Sequence, residues 1–255
     1  MIIKVLGASG GIGEQAPTTS LWIDDDVLVD AGTGVETLRL AEAARIDHVF
    51  VTHAHLDHTV GLALLADAAG AARARPMVVH ALPQTIEALR RHIFNGEIWP
   101  DFSVIPDARQ PYLAFAPVAL GQGIDLGEGR RITPLPAEHT VPAVGYHLQG
   151  NRASLVFSGD TYGCDAFWEC VNALPDLRYL LIETAFPDRL AELARRSKHL
   201  HPARLKNELN KLARATDIFI CHQKPGDVEV IMDQIGTCLR GNPVKPLKPG
   251  ASFDI

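Results

Sequence analysis

Six residues beginning at His53, in the order His-Ala-His-Leu-Asp-His, set four metal-ligand side chains directly behind the apolar run His48-Val49-Phe50-Val51-Thr52. Imidazole nitrogens and carboxylate oxygens are the donors that borderline divalent ions accept. His53 and His55 stand two apart, so in extended backbone they project to the same side. Asp57 and His58 follow after a bend and face a second ion. The plain alternative is a polar loop with chance clustering among the 11 histidines of the chain; three His and an Asp in six residues at a strand end argue against it. The cluster also constrains the fold. Two ions need roughly four to six ligands each, so other segments must return to this strand end with the rest.

With 255 residues, 47% of them hydrophobic, the chain can bury a full core, and residues 1–255 are expected to form one α/β domain. A net charge of −6 argues against a broad nucleic-acid surface. The basic pairs Arg90-Arg91, Arg130-Arg131 and Arg195-Arg196 are scattered and read as solvated faces. Cys164, Cys170, Cys221 and Cys238 form no CxxC pair, and Cys221 lies in an apolar run as a small buried hydrophobe. No stretch approaches the ~20 apolar residues of a membrane span. Met1 to Leu6 is too short for a signal peptide, so a cytoplasmic protein is expected.

Strands are expected at Met1–Leu6, Leu21–Ile23, Val27–Val29, Val49–Thr52, Met77–His80, Ile132–Pro136, Val144–Leu148, Ala153–Phe157, Leu177–Glu183 and Ile218–His222. Helical stretches are expected at 35–45, from Val60 onward, at 83–93 behind Pro83, and at 202–213. Strands and hairpins followed by helices, in two halves, point to a sheet-on-sheet core with outer helices rather than a doubly wound sheet. Gly7-Ala8-Ser9-Gly10-Gly11-Ile12-Gly13 after the first strand resembles a dinucleotide fingerprint. That motif needs a helix to follow at once, and the proline-broken polar stretch to Ser20 supplies none. We read a flexible loop that rims a site.

Three further ligand candidates each stand at the end of an apolar strand: His139, Asp160 behind Phe157-Ser158-Gly159, and His222 behind Ile218–Cys221. Singly, each passes for a loop or turn residue. Together, downstream of the cluster, they fit one site. The pattern His-x-His-x-Asp-His, then a lone His, a Gly-Asp and a final strand-end His, resembles the metallo-β-lactamase superfamily along nearly the whole chain. The resemblance implies an αββα sandwich with a dinuclear site holding two divalent ions, Zn²⁺ first, with Mn²⁺ or Fe as alternatives. It implies that His53, His55 and His139 hold one ion, that Asp57, His58 and His222 hold the other, and that Asp160 bridges them. Asp30 matches the superfamily's early strand-end Asp, which supports the His-cluster loop.

His53 to Leu62 resembles the signature of class II cyclic-nucleotide phosphodiesterases, with Thr59 and Ala66-Asp67 departing from it. Thr18–Leu21, His92–Asn95, Ile98–Pro100, Ile182-Glu183, Lys198–Leu200 and His222–Pro225 are similar to that family as well. The resemblance implies a small-molecule phosphodiester as substrate, cAMP or cGMP opened by a water that two ions acidify toward a pKa near ~7. Asp57 orients this nucleophile. The superfamily's tRNA 3′-processing nucleases carry a His at a position matching His199, which makes it the candidate proton donor to the leaving oxygen, and Glu183 orients it. Ordinary polarity at a helix start is the alternative for His199. Phe94, Trp99 and Phe102 are candidates for a wall that stacks on the base, or else core or homodimer contacts. A tRNA 3′-processing nuclease, a lactonase or thioesterase, and a non-catalytic metal sensor are the other readings.

Overall fold

A computed structural model describes residues 1–239 and 244–255. Among them two mixed sheets of seven strands pack face to face. The first holds β1 (Ile2–Gly7), β2 (Ser20–Ile23), β3 (Val27–Val29), β4 (His48–Phe50), β5 (Met77–Ala81) and β6 (Leu113–Pro117). The second holds β7 (Ile124–Gly127), β8 (Arg130–Pro136), β9 (Val144–Gln149), β10 (Ser154–Phe157), β11 (Leu177–Glu183), β12 (Asp217–Cys221) and β13 (Val244–Pro246); β14 (Ser252–Asp254) returns to the first beside β1. Helices α1 (Leu40–Ala43), α2 (Leu56–Gly70) and α3 (Pro83–His92) flank the first sheet. Along the second run α4 (Asp165–Ala173), α5 (Ala191–Ser197), α6 (Pro202–Leu209) and α7 (Val228–Cys238). This is the expected αββα sandwich.

Period-two alternation sorts each strand between two cores. Leu21, Ile23, Val27, Val29 and Phe50 face Ile132, Tyr146, Leu148, Leu155 and Phe157 of the opposite sheet. Leu28, Val49 and Val79 point the other way, onto Leu62, Leu65 and Leu89 of the outer helices. Both faces of these strands are buried, so β3 and β2 from Leu21 onward read as unbroken apolar runs. Each large side chain fully buried in this way contributes roughly 1.5–3 kcal/mol. Arg130 of β8 ties the sheets at one end, with Nη1 2.7 Å from Asp26 and 3.2 Å from Asp24 in the β2–β3 turn.

The opposite end carries the chemistry. β3, β4 and β5 are parallel, as are β10, β11 and β12. Their carboxyl ends therefore converge where the sheets meet, the usual place for a site in an α/β layer. Asp30, His53, Asp160, Glu183 and His222 all stand just beyond or at such an end.

Several local expectations are corrected. The helix at 35–45 is instead a 3-10 turn (Thr33–Thr37) and the short α1, because Leu38 and Arg39 are extended. The helix expected from Val60 begins at Leu56, so Asp57 and His58 lie in its first turn rather than after a bend. Tertiary bonds hold that turn: Ala31 N–H donates to His58 O and Gly61 N–H to Ala31 O, both at 2.8 Å. The glycine-rich loop leads into β2 with no helix between, as expected, but it is tied down rather than flexible: Gly10 N–H donates to Gln223 O at 3.1 Å. Among the described residues no helix is long and apolar enough to cross a membrane.

Candidate metal centre

The site forms from strand ends that bring acceptors together with little else to satisfy them. His53 Nε2 and His139 Nε2 lie 3.0 and 3.2 Å from His55 Nδ1. Asp160 Oδ2 sits amid the group, 3.3 Å from His222 Nε2, 3.4 Å from His58 Nε2, 3.6 Å from His53 Nε2 and 3.9 Å from His139 Nε2. Asp57 Oδ2 is 3.7 Å from His222 Nε2. Three overlapping groups result among the described residues, His53–His55–His139–Asp160, Asp57–His58–His222 and Asp160–His199–His222, each with its ligand atoms within 4.8 Å of one another. Asp160 Oδ2 touches the first two as well as belonging to the third. The seven expected ligand side chains are all gathered here.

A metal fits this arrangement on the chemistry of the donors themselves. His58 Nε2, Asp160 Oδ1 and both ring nitrogens of His222 are buried without a hydrogen-bond partner. Orphaned buried polar atoms are expensive unless something binds them. Donor atoms held about 2.05 Å from a tetrahedral ion stand about 3.3 Å apart, which is the range of spacings seen around Asp160.

A surrounding shell fixes which ring nitrogen faces inward. His58 Nδ1 donates to Asp30 Oδ2 at 2.7 Å. His139 Nδ1 donates to Lys198 O at 3.1 Å, and His53 Nδ1 lies 3.0 Å from Thr52 Oγ1. Each leaves Nε2 for the centre, the usual division for a ligating imidazole. Asp30 in turn accepts Thr52 N–H at 2.8 Å and contacts Thr52 Oγ1 at 2.9 and 3.1 Å. Asp30 thereby ties the end of β3 to the loop that carries the His cluster. Three non-glycine residues here have left-handed backbone: Asp30 (φ 57°), Lys198 (φ 53°) and His222 (φ 61°). Such conformations persist where surrounding contacts over-determine them. Gly159, with φ 58°, lets the chain reach Asp160; a Cβ there would stand 2.7 Å from Val144 O. Gly10 likewise leaves room for His222, whose Cδ2 would be 2.8 Å from a Cβ.

Electrostatics follow from burial. Desolvation pushes His139 down to about 4 and holds His53 and His222 well below their ordinary range, which favours the neutral imidazole that a metal can take. On His58 burial opposes charge, but the carboxylates of Asp160 and Asp30 outweigh it and raise its pKa. For Asp160 burial favours the acid, yet the imidazoles of His222, His58 and His53 overcome it and keep the carboxylate ionised.

His199 also reaches the centre. Its ring stacks on His222 with centroids 5.1 Å apart and tilts against His139 at 4.9 Å. Nδ1 is 2.9 Å from Glu183 Oε1. Glu183 is fully buried and held by the N–H groups of Thr161 (2.9 Å) and Leu200 (3.2 Å). Burial opposes protonation of His199, but Glu183 outweighs it and the pKa is raised.

Phe94, Trp99 and Phe102 are not at this site. Phe94 and Phe102 are buried in the core outside the first sheet, with Trp99 packed against them. Leu113 N–H donates to Phe102 O at 3.0 Å, which fixes Phe102 at the amino end of β6, away from the carboxyl ends that carry the histidines. The irregular segment folds back to cover that sheet edge, so these rings serve packing and the stacking-wall expectation is corrected. Sequence assigns Thr52 no role, and Lys198 and Lys224 stand in it only within the stretches Lys198–Leu200 and His222–Pro225; the fold sets them beside His53, His199 and His222.

A family model described as Beta-lactamase superfamily domain matches residues 25–222. The chain is similar to a probable 3′,5′-cyclic-nucleotide phosphodiesterase of Yersinia pestis, 26% identical over 204 residues that cover 71% of this chain and 57% of that protein. It is also similar to ribonuclease Z of Bradyrhizobium sp. (strain ORS 278), 35% identical over 106 residues, 40% of this chain and 33% of that protein. The matches thus span less than two thirds of these relatives' own length. Among solved structures, unliganded yeast PDE1 superposes with a TM-score of 0.82 at 17% identity, covering 100% of this chain and 99% of the other. At that identity the likeness speaks for the fold alone.

Proposed function

The chain belongs to the metallo-β-lactamase superfamily and has its hydrolase fold, and from that premise we propose that it is a dinuclear phosphodiesterase that opens 3′,5′-cyclic nucleotides. The observation that carries the reading is Asp160 Oδ2, shared between two clusters of imidazoles and carboxylate. Similarity to the Yersinia pestis protein, along 71% of the chain, supports the substrate class.

His53, His55, His139 and Asp160 would hold one ion and Asp57, His58, His222 and Asp160 the other, Zn²⁺ by preference, with Mn²⁺ or Fe compatible with the same donors. When bound, two such ions supply Lewis acidity, lowering the pKa of water toward ~7 and offsetting phosphate charge. The chain's own residues do the rest. Asp57, with its side chain 26% exposed at the rim, orients the water that adds to phosphorus. The bond from phosphorus to O3′ breaks, and O3′ needs a proton as it leaves. His199 presents Nε2 for that transfer while Glu183 holds Nδ1. The product is a nucleoside 5′-monophosphate. The substrate is a small molecule, and a homodimer is compatible with this chemistry.

Similarity to ribonuclease Z supports a second reading, a tRNA 3′-processing nuclease, over 40% of the chain. A net charge of −6 weighs against it. The test is a panel given to zinc-loaded protein: cAMP, cGMP, an aryl phosphodiester, a lactone and precursor tRNA. Turnover of cyclic nucleotides to 5′-monophosphates is expected. Turnover of the lactone alone, or of precursor tRNA in preference to cAMP and cGMP, would overturn the proposal.

A further inference from the structure

Beside the candidate metal centre stands a cation that pairs with no carboxylate among the described residues. Lys224 lies two residues past His222 and is half-buried. Its backbone is pinned on both sides: its N–H donates to Ala185 O at 3.1 Å, and its carbonyl accepts Asp227 N–H at 3.2 Å. The ammonium donates to Gly10 O in the glycine-rich loop. It also stands 5.9 Å from the centre of the Phe186 ring, which meets His199 edge-on with centroids 5.7 Å apart. Among the described residues, lysine–carboxylate pairs are made by Lys198 and Lys211, not by Lys224.

An ammonium has three donors, and Gly10 takes one. The position of that ammonium is set by the same strand end that presents His222, because His222 N–H donates to Ala8 O and Gly10 N–H to Gln223 O. The loop and the β12 end thus form one rigid rim with a fixed positive charge on it. A neutral ester gains nothing from that charge. A phosphodiester carries a negative charge that a half-buried ammonium can meet through a charge-assisted hydrogen bond.

We propose that Lys224 is the anion-recognition residue of this site, donating to a non-bridging phosphate oxygen and so selecting charged phosphoesters over neutral esters. The identity of the charged ester rests on the phosphodiesterase reading; the preference for an anion rests on an ammonium that pairs with no carboxylate among the described residues. A strut that merely holds Gly10 is the competing role, and it predicts a loss of stability instead of a loss of anion affinity.

The test uses the zinc-loaded full chain as wild type, Lys224→Gln and Lys224→Arg. AMP and uncharged adenosine are titrated into each by calorimetry, and thermal unfolding is recorded alongside. Lys224→Gln is expected to weaken AMP about 10-fold, as for loss of one charge-assisted hydrogen bond, and to leave adenosine unchanged. Lys224→Arg restores AMP binding to within about 3-fold, and KM for an aryl phosphodiester rises in the Gln variant more than kcat falls. Equal AMP affinity in wild type and Lys224→Gln overturns the proposal. So does a matched loss for AMP and adenosine with a lowered melting temperature. A chain that hydrolyses no phosphodiester yet shows the Lys224-dependent AMP affinity loses the phosphodiesterase reading and keeps the anion site. Phosphodiester turnover with a KM indifferent to Lys224→Gln does the reverse.

Discussion

His58 Nδ1 donates to Asp30 Oδ2 at 2.7 Å, deep in the protein, and the same carboxylate takes the N–H of Thr52 at 2.8 Å. One buried aspartate thereby fixes both the ring orientation of His58, a proposed ligand, and the strand end from which the His cluster departs. Asp30→Ala removes both. Metal affinity is expected to fall about 10–100-fold, the range for loss of a partner behind a ligand, read by competition against a chromophoric chelator. Unchanged affinity would assign Asp30 to backbone support alone.

His199 is expected to act on the leaving oxygen and not as a ligand. His199→Ala should lower kcat for cyclic nucleotides by about 10²–10⁴-fold, the usual contribution of a general acid, with the metal content retained. Aryl phosphodiesters, whose leaving group needs no proton, should be nearly unaffected. Loss of metal together with activity on both substrates would make it a ligand, a role that its closeness to Asp160 and His222 also permits.

Phe102→Ala separates packing from recognition. Phe102 is 4% exposed in the core outside the first sheet. The substitution should destabilise the fold by about 3–5 kcal/mol, as large core truncations do, and leave KM unchanged. A raised KM with normal stability would restore the ring to the substrate wall.

Away from the centre, His48 Nδ1 and His80 Nε2 share a 3.0 Å hydrogen bond. Burial holds His80 down at about 4 and lowers His48 too. Between the ordinary pKa of 6.5 and that value the unfolded chain binds a proton that the folded chain refuses. The stability from His80 is therefore complete above about pH 6.5 and is lost as the pH falls toward about 4, by roughly 3 kcal/mol at most. Urea unfolding of chelator-treated protein at about pH 7 and about pH 5 should show a smaller drop for His80→Gln than for wild type. Equal drops would contradict the shift.

Much of the site was legible because ligands cluster in sequence and strand ends are marked by apolar runs: His53 to His58, Asp160 behind Gly159, and His222 behind Cys221. What escaped depends on contacts between distant segments. Leu56 opens α2 four residues before the helical pattern suggests, because Ala31 accepts Gly61 N–H and donates to His58 O. Lys198 contributes a carbonyl, which no side-chain pattern announces. Phe94 and Phe102 look the same in sequence whether they line a pocket or plug a core. Their burial depends on how an irregular segment returns to β6.

The central prediction is a pair of adjoining ions that share Asp160. Metal content by mass spectrometry, taken with activity during stepwise return of zinc to chelator-stripped protein, tests it most directly. Two ions per chain are predicted, with full cyclic-nucleotide turnover only at the second equivalent and with Asp160→Ala unable to recover it. Fully active protein holding one ion or none would contradict it.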